Sequence, residues 1–255
     1  TIIAGGREFT AMRVSACYTN KKEGIKNISC LDCHSMHHSD PKDQLRQDLT
    51  GNQSCIQCHK DDKYTTNIEL HTHHEVDSSG SSCVNCHMPH TSYALLGALR
   101  SHQIQSPSAL RSIEHGVPNA CNLCHLDKTL EWTQNHLSER YNHKVFPLTH
   151  DQKNISAWIL WLLKGHAAQR AIAAWHGGWE PAKVASGNSW LPPYLIKLLN
   201  DPYGVVRYIA YKSLKSQESY VNFEYDYLSG SSELDRKSNE AMRLWLNEKR
   251  EPSNI

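Results

Sequence analysis

The residues whose types and spacing could do chemistry are cysteine and histidine. Cys-x-x-Cys-His occurs four times, as Cys30-Leu-Asp-Cys33-His34, Cys55-Ile-Gln-Cys58-His59, Cys83-Val-Asn-Cys86-His87 and Cys121-Asn-Leu-Cys124-His125, and uses eight of the nine cysteines. This is the spacing of c-type haem attachment. Two thiols three residues apart can form thioethers with the two vinyl groups on one porphyrin edge. The histidine after the second thiol then lies under the ring, where its imidazole binds iron as the proximal ligand. The expected cofactors are four covalently attached haem c groups, on Cys30, Cys33, Cys55, Cys58, Cys83, Cys86, Cys121 and Cys124, with His34, His59, His87 and His125 as proximal ligands.

Other uses of paired cysteines fit less well. A zinc knuckle partners its pairs across the chain and asks for no histidine after each one. A thioredoxin-like site needs a single pair on a β-α-β scaffold. Disulfides leave the identical spacing unexplained.

A haem that only passes electrons has both axial positions filled, whereas a haem enzyme leaves one open. The front half offers His37, His38, His71, His73, His74, His90, His102 and His115 beyond the proximal set, enough for bis-histidine ligation throughout. His37 follows its proximal neighbour His34 by three residues, so it is expected to reach another haem. The run His71-Thr-His73-His74 is expected to supply two ligands, and His102 lies between the third and fourth motifs. His38 and His90 read as supporting or surface groups, and His115 is open. The odd Cys17 reads as a buried thiol, an intermolecular disulfide or a haem contact.

These groups need elements to hold them, and composition divides the chain in two. Every cysteine lies at or before Cys124, every tryptophan lies after it, and twelve of the seventeen histidines fall in the first 125 residues. The expected organisation is a tetrahaem cytochrome domain over 1–126 and an α-helical domain over 127–255. The front half, punctuated by Ser39-Asp40-Pro41, Thr50-Gly51-Asn52 and Asp77-Ser78-Ser79-Gly80, predicts short helices between turns and no β alternation. It is poor in Leu, Ile and Phe, so haem must supply much of its core and is needed for folding.

After Leu126 the apolar period becomes helical. Ile155, Trp158, Ile159, Leu162 and Leu163 mark one helix, stopped by Gly165. Others are expected at about Ala167–His176, ended by Gly177-Gly178, at about Ser189–Leu199, and at about Ser232–Lys249. Asp201-Pro202 reads as an N-cap with proline at the first helical position, opening a helix that carries Val205, Val206, Ile209 and Leu214. The fold class is therefore mainly α: a loop-rich, haem-packed cytochrome domain, then a HEAT-like hairpin domain.

The formal charge of +1 argues against a nucleic-acid partner. Each ferric haem with ionised propionates adds about −1, so four bring the holoprotein to about −3. No signal peptide or membrane-length apolar run is visible. The start Thr1-Ile-Ile-Ala-Gly-Gly reads as that of a mature protein or a fragment of a longer one. Thioether attachment takes place outside the cytoplasmic membrane, so the expected location is the periplasm or the cell exterior.

From about Gly5 to Leu214 the chain resembles multihaem c-type cytochromes with a C-terminal HEAT-like domain, related to nitrite-reductase-like and doubled Cys-x-x-Cys-His proteins. The shared segments are Gly6-Arg7-Glu8-Phe9, Ser15-Ala16-Cys17-Tyr18, Cys33-His34-Ser35-Met36-His37, His71-Thr-His73-His74, Cys86-His87-Met88-Pro89, Arg100-Ser101-His102-Gln103-Ile104 and Pro118-Asn119-Ala120-Cys121-Asn122-Leu123-Cys124-His125. The resemblance implies electron transfer through closely packed haems. It favours His37, the His71–His74 cluster and His102 as distal ligands over His38, His90 and His115. Dedicated nitrite reductases carry lysine in place of the proximal histidine at the active haem, and no Cys-x-x-Cys-Lys occurs here. That departure counts against ammonia-forming nitrite reduction.

The expected function is a tetrahaem electron carrier that docks redox proteins or extracellular acceptors. The surplus histidines and Cys17 also permit a self-assembling cytochrome filament. The alternative is a reductase or oxidase with one open iron, acting on a small nitrogen or sulfur oxyanion, with His115 or a spare histidine of the 71–74 run as acid or base.

Overall fold

The computed structural model describes residues 3–4, 7–19, 27–37 and 44–250. His38 lies outside them, as does Gly6 of the first shared segment. The protein is mainly helical, as the sequence predicts. It forms two compact units, one of Gly5–His90 with Arg100–Pro107, the other of Thr1–Ala4, Thr91–Leu99 and Ser108–Ile255. The composition step at residue 126 coincides with neither limit, because the fourth motif is built into the second unit. Leu123 and Leu126 are buried in that unit's core. Asn122, fully buried, donates to the carbonyls of Lys128 (3.0 Å) and Thr129 (3.2 Å) and accepts from the Thr133 hydroxyl (2.7 Å).

The core of the larger unit is made by the helices Ala157–Lys164, Ala167–His176, Pro192–Lys197, Gly204–Lys215 and Ser231–Arg250. The second packs on the first and on Gly204–Lys215, and Pro192–Lys197 packs on the last two. Trp158, Leu162, Ile172, Leu195, Leu199, Ile209 and Leu214 lose essentially all solvent contact. Each such aliphatic side chain contributes about 1.5–3 kcal/mol by leaving water. Ser156 caps the first helix by accepting from Ile159 N–H (3.2 Å), which satisfies one of its orphan amides. Gly178 is required by packing: a Cβ there would lie 2.7–2.9 Å from Ser213, whose hydroxyl donates to Ala174 C=O (2.6 Å).

Asp201 is not the N-cap that its Asp-Pro sequence suggests. The helix begins at Gly204 with Tyr203 before it. The Asp201 carboxylate instead takes both arms of the Arg170 guanidinium, at 2.6 and 3.0 Å, and accepts from Tyr203 N–H at 2.9 Å. The partly buried Arg170 competes successfully with the helix end because a charge-assisted, bidentate pair is the stronger interaction.

A second correction concerns strands. Ser92–Ala94 (β2) and Gly97–Leu99 (β3) form an antiparallel hairpin in the register Ser92↔Leu99, Tyr93↔Ala98, Ala94↔Gly97. Ile3–Ala4 (β1) adds in parallel as Ile3↔Ser92 and Ala4↔Tyr93. The two-residue turn is Leu95-Leu96, with φ of 49° and 59°. Such a turn needs positive φ at both positions and is normally announced by Asn-Gly. Two leucines give no such signal.

The smaller unit consists of short helices and turns: Glu8–Arg13, Ala16–Thr19, Gln53–Ile56, Asp62–Thr65, Ile68–Thr72 and Cys83–His87, with single 3-10 turns at Cys30–Asp32, Gln47–Leu49 and Ser79–Ser81. Among the described residues its buried apolar side chains are Ala11, Met12, Leu49, Ile68 and Pro89. No described helix is long and apolar enough to cross a membrane.

Candidate haem-binding sites

Each motif sits on one helical turn. The histidine N–H bonds the carbonyl of the first cysteine at 2.9 Å for His34 to Cys30, 3.0 Å for His59 to Cys55 and 2.7 Å for His125 to Cys121, and Cys83–His87 is itself a helix. Residues three and four apart share a helix face. The two thiols and the imidazole of each motif are therefore presented together. The turns are fixed by caps: Ser29 and Asp32 bond reciprocally around the first, and the Asn119 side chain accepts from Asn122 N–H at the fourth.

In the smaller unit the first three motifs are tied to one another. Gln57 Nε2 donates to Asp32 C=O (3.1 Å), joining the second motif to the first. Asn52 donates to Ser81 C=O and accepts from Cys83 N–H, both at 2.9 Å, joining the second to the third. The Cys55 and Cys83 thiols share a hydrogen bond, which favours the Cys55 thiolate and holds the Cys83 proton. Cys17 is half-buried, and burial, with Cys55 beside it, pushes its thiol up. Tyr64 stands edge-on between His59 (ring centres 5.6 Å) and His71 (4.9 Å). Sequence reasoning missed Asn52 and Tyr64. Gly51-Asn52 looks like turn punctuation, and nothing in Tyr64's neighbourhood marks it.

The histidines pair across the chain. His71 and His87 lie with ring centres 6.1 Å apart and planes 2° from parallel. His34 and His102 are also 6.1 Å apart, tilted by 33°. His87 Nδ1 is 3.0 Å from Gln105 C=O, which places the ring proton there and leaves Nε2 as a lone-pair donor. Burial lowers the pKa of His71, His87 and His102, with a neighbouring imidazole adding to the shift in each case. The neutral form, which binds metal, is thereby favoured at pH 7.

The other distal candidates are disposed differently. His74 is half-buried over Gly80, where a Cβ would strike its ring, and its Nδ1 lies 2.7 Å from Thr72 C=O. His73 is exposed, in the left-handed position that ends Ile68–Thr72. His37 is exposed, its backbone held by the Ser35 hydroxyl. His90 is partly buried beside Pro89. His115 is exposed, 3.7 Å from the Glu114 carboxylate. In the larger unit the His125 ring packs on Trp132 (5.0 Å), which packs on His136 (4.3 Å). The Ser186 hydroxyl donates to a backbone carbonyl of the Cys124 turn (3.1 Å) and accepts from Leu126 N–H (3.1 Å).

These residues fit haem c. All nine cysteines are free thiols. Among the described residues no three His, Cys, Asp or Glu converge on a point. Two imidazoles that held one metal ion between them, each nitrogen about 2 Å from it and each ring centre about 1 Å further, would have ring centres about 6 Å apart. Both histidine pairs have that separation. Phe9, Val14, Leu31, Met36, Leu70 and Val76 of the smaller unit are exposed, apolar side chains of the kind a porphyrin would cover.

Comparison with known families agrees. Residues 67–174 match the cytochrome c552 family, and residues 23–64 match the doubled CXXCH motif. No curated protein and no solved structure matches. The protein is a multihaem c-type cytochrome. It binds haem c, and the matched families are of the electron-transfer and nitrite-reductase type.

Proposed function

We propose that this protein is a tetrahaem electron carrier whose irons are held between two histidines. Haem supplies a one-electron ferric–ferrous couple. The chain supplies the attachment turns, the second imidazoles and the spacing. The observation that carries the reading is the parallel His71–His87 pair with ring centres 6.1 Å apart, supported by His34–His102 at the same separation. In each pair one imidazole belongs to a Cys-x-x-Cys-His and the other comes from elsewhere in the same compact unit. We assign His102 to the first haem and His71 to the third, with His37, His73 and His74 left as further distal candidates. Filling both axial positions removes the site where a substrate would bind, and it keeps ligand rearrangement on electron transfer small.

The stacked helix pairs of the larger unit, joined through Arg170 and Asp201, support a HEAT-like reading and a docking role toward redox proteins or extracellular acceptors. Thioether attachment of haem takes place outside the cytoplasmic membrane, which supports a location in the periplasm or beyond the cell.

Low-temperature EPR of the ferric protein, with haem counted on the same sample, tests the proposal. Four low-spin haems per chain are expected. A high-spin signal that shifts on adding nitrite, hydroxylamine or cyanide would overturn it in favour of a reductase with an open iron. Electron microscopy of the same preparation distinguishes single particles from a filament.

A further inference from the structure

Arg100 belongs to no attachment motif, yet its guanidinium is engaged on three sides by the third one. Nη1 donates to the carbonyls of Val84 (2.9 Å) and Met88 (3.3 Å), and Nη2 donates to Asn85 Oδ1 (2.8 Å). These acceptors lie on and just beyond the C-terminal end of the Cys83–His87 helix, where carbonyls carry partial negative charge, and the Val84 carbonyl also accepts from Met88 N–H at 3.0 Å. Among the described residues no carboxylate pairs with Arg100. Its charge is spent on the attachment turn.

The chain that follows stays against the same motif. Ser101 N–H donates to Pro89 C=O at 3.0 Å, and Gln105 N–H donates to His87 C=O at 3.2 Å, while the Gln105 carbonyl faces His87 Nδ1. Between these anchors lies His102, whose ring is brought to the proximal histidine of the first motif. One short segment therefore orients the His87 ring and carries the imidazole that faces His34.

We propose that Arg100 is a positioning residue for two haem irons at once, locking the third attachment turn and seating the segment that delivers His102 to the first. The inference rests on the axial pairing proposed above. A hydrogen bond from a charged donor is worth more than a neutral one, and Arg100 makes three. Its removal loosens the seat of His102 and the orientation of His87 together, which a purely local cap would not do.

The test compares the holoproteins Arg100→Ala, Arg100→Lys, Asn85→Ala and His102→Ala, each with its haem counted first. The readouts are carbon monoxide binding to the reduced protein and EPR of the ferric protein. His102→Ala opens one iron per chain to carbon monoxide. Arg100→Ala raises carbon monoxide occupancy of that same haem by about ten- to a hundredfold over the unaltered protein. It also shifts one further low-spin signal, that of the third haem. Arg100→Lys gives an intermediate result, because a single ammonium cannot reproduce the planar fork. If His102→Ala opens an iron and Arg100→Ala leaves both readouts unchanged, the inference is overturned while the pairing stands. If His102→Ala opens none, the pairing itself fails and takes the inference with it. Should Arg100→Ala not be recovered with haem, Arg100→Lys and Asn85→Ala decide by the same readouts, and unchanged behaviour in both overturns the inference.

Discussion

The imidazoles of His71 and His87 face each other with ring centres 6.1 Å apart and planes 2° from parallel, although one belongs to the Ile68–Thr72 helix and the other ends Cys83–His87. Tyr64 packs edge-on against His71, and His87 Nδ1 lies 3.0 Å from the Gln105 carbonyl. Each ring is thus oriented by a second contact. That arrangement suits metal ligands, whose outer partners set ring tautomer and direction.

His71→Ala is expected to convert one haem, and only one, to a high-spin form that binds carbon monoxide when reduced. Haem content stays at the level of the unaltered protein, since the thioethers of Cys83 and Cys86 are untouched. Optical titration with carbon monoxide reads the result. An iron that stays six-coordinate without added ligand would remove His71 from the axial set.

Protein made without haem attachment is expected to keep the helical signal of the larger unit and lose the smaller one. Ala11, Met12, Leu49, Ile68 and Pro89 are too little buried apolar surface to offset the chain entropy of that unit. Limited proteolysis checks this: cleavage should concentrate within residues 5–90 of the haem-free chain and be suppressed in the holoprotein. Equal resistance in both forms would show that the unit folds without its cofactor.

Arg170→Ala leaves the Asp201 carboxylate, 4% exposed, without its cation. Breaking a buried pair by removing one partner costs about 3–5 kcal/mol. Denaturant unfolding followed by far-ultraviolet circular dichroism should show that loss in the helical transition. A change below about 1 kcal/mol, the range of an exposed ion pair, would mean that the pair is solvated in solution.

Tyr225 gives the larger unit a limit at high pH. Its hydroxyl donates to Leu199 C=O, and burial pushes its pKa up to about 12. Tyr220 is raised in the same direction by burial. A tyrosine in the unfolded chain ionises at about 10. The unfolded state therefore releases protons first, so stability is flat below about pH 10 and falls as pH rises toward about 12. Tyr225→Phe should flatten part of that fall in denaturation midpoints taken across the range. An identical slope in the variant would assign the alkaline limit to other groups.

Much of the helical unit was legible in sequence, because burying one face of a helix imposes a 3.6-residue period on Trp158, Leu162, Ile172, Ile209 and Leu214 wherever the helix lies. The helix ends expected near Gly165, Gly177-Gly178 and Leu199 are close to those observed. Asp201 misled because its local signature is that of a cap, while its partner Arg170 lies thirty-one residues away. The β2–β3 hairpin was hidden by a Leu-Leu turn. Arg100 lies in a shared segment but in no attachment motif; its three acceptors exist only once the Cys83–His87 turn has formed.

By itself the sequence determined the attachment chemistry. Two thioethers and a proximal nitrogen must come from one helical turn, so their spacing is written in consecutive residues. Tertiary structure decided which other histidines come to face the motifs, and that the fourth motif is built into the helical unit. Those are contacts between distant parts of the chain: His102 meets His34 because Arg100, Ser101 and Gln105 seat its segment against the third motif, and Leu123 and Leu126 join the helical core because Asn122 is bonded into it. Packing and hydrogen bonding at long sequence separation leave no fixed spacing to read.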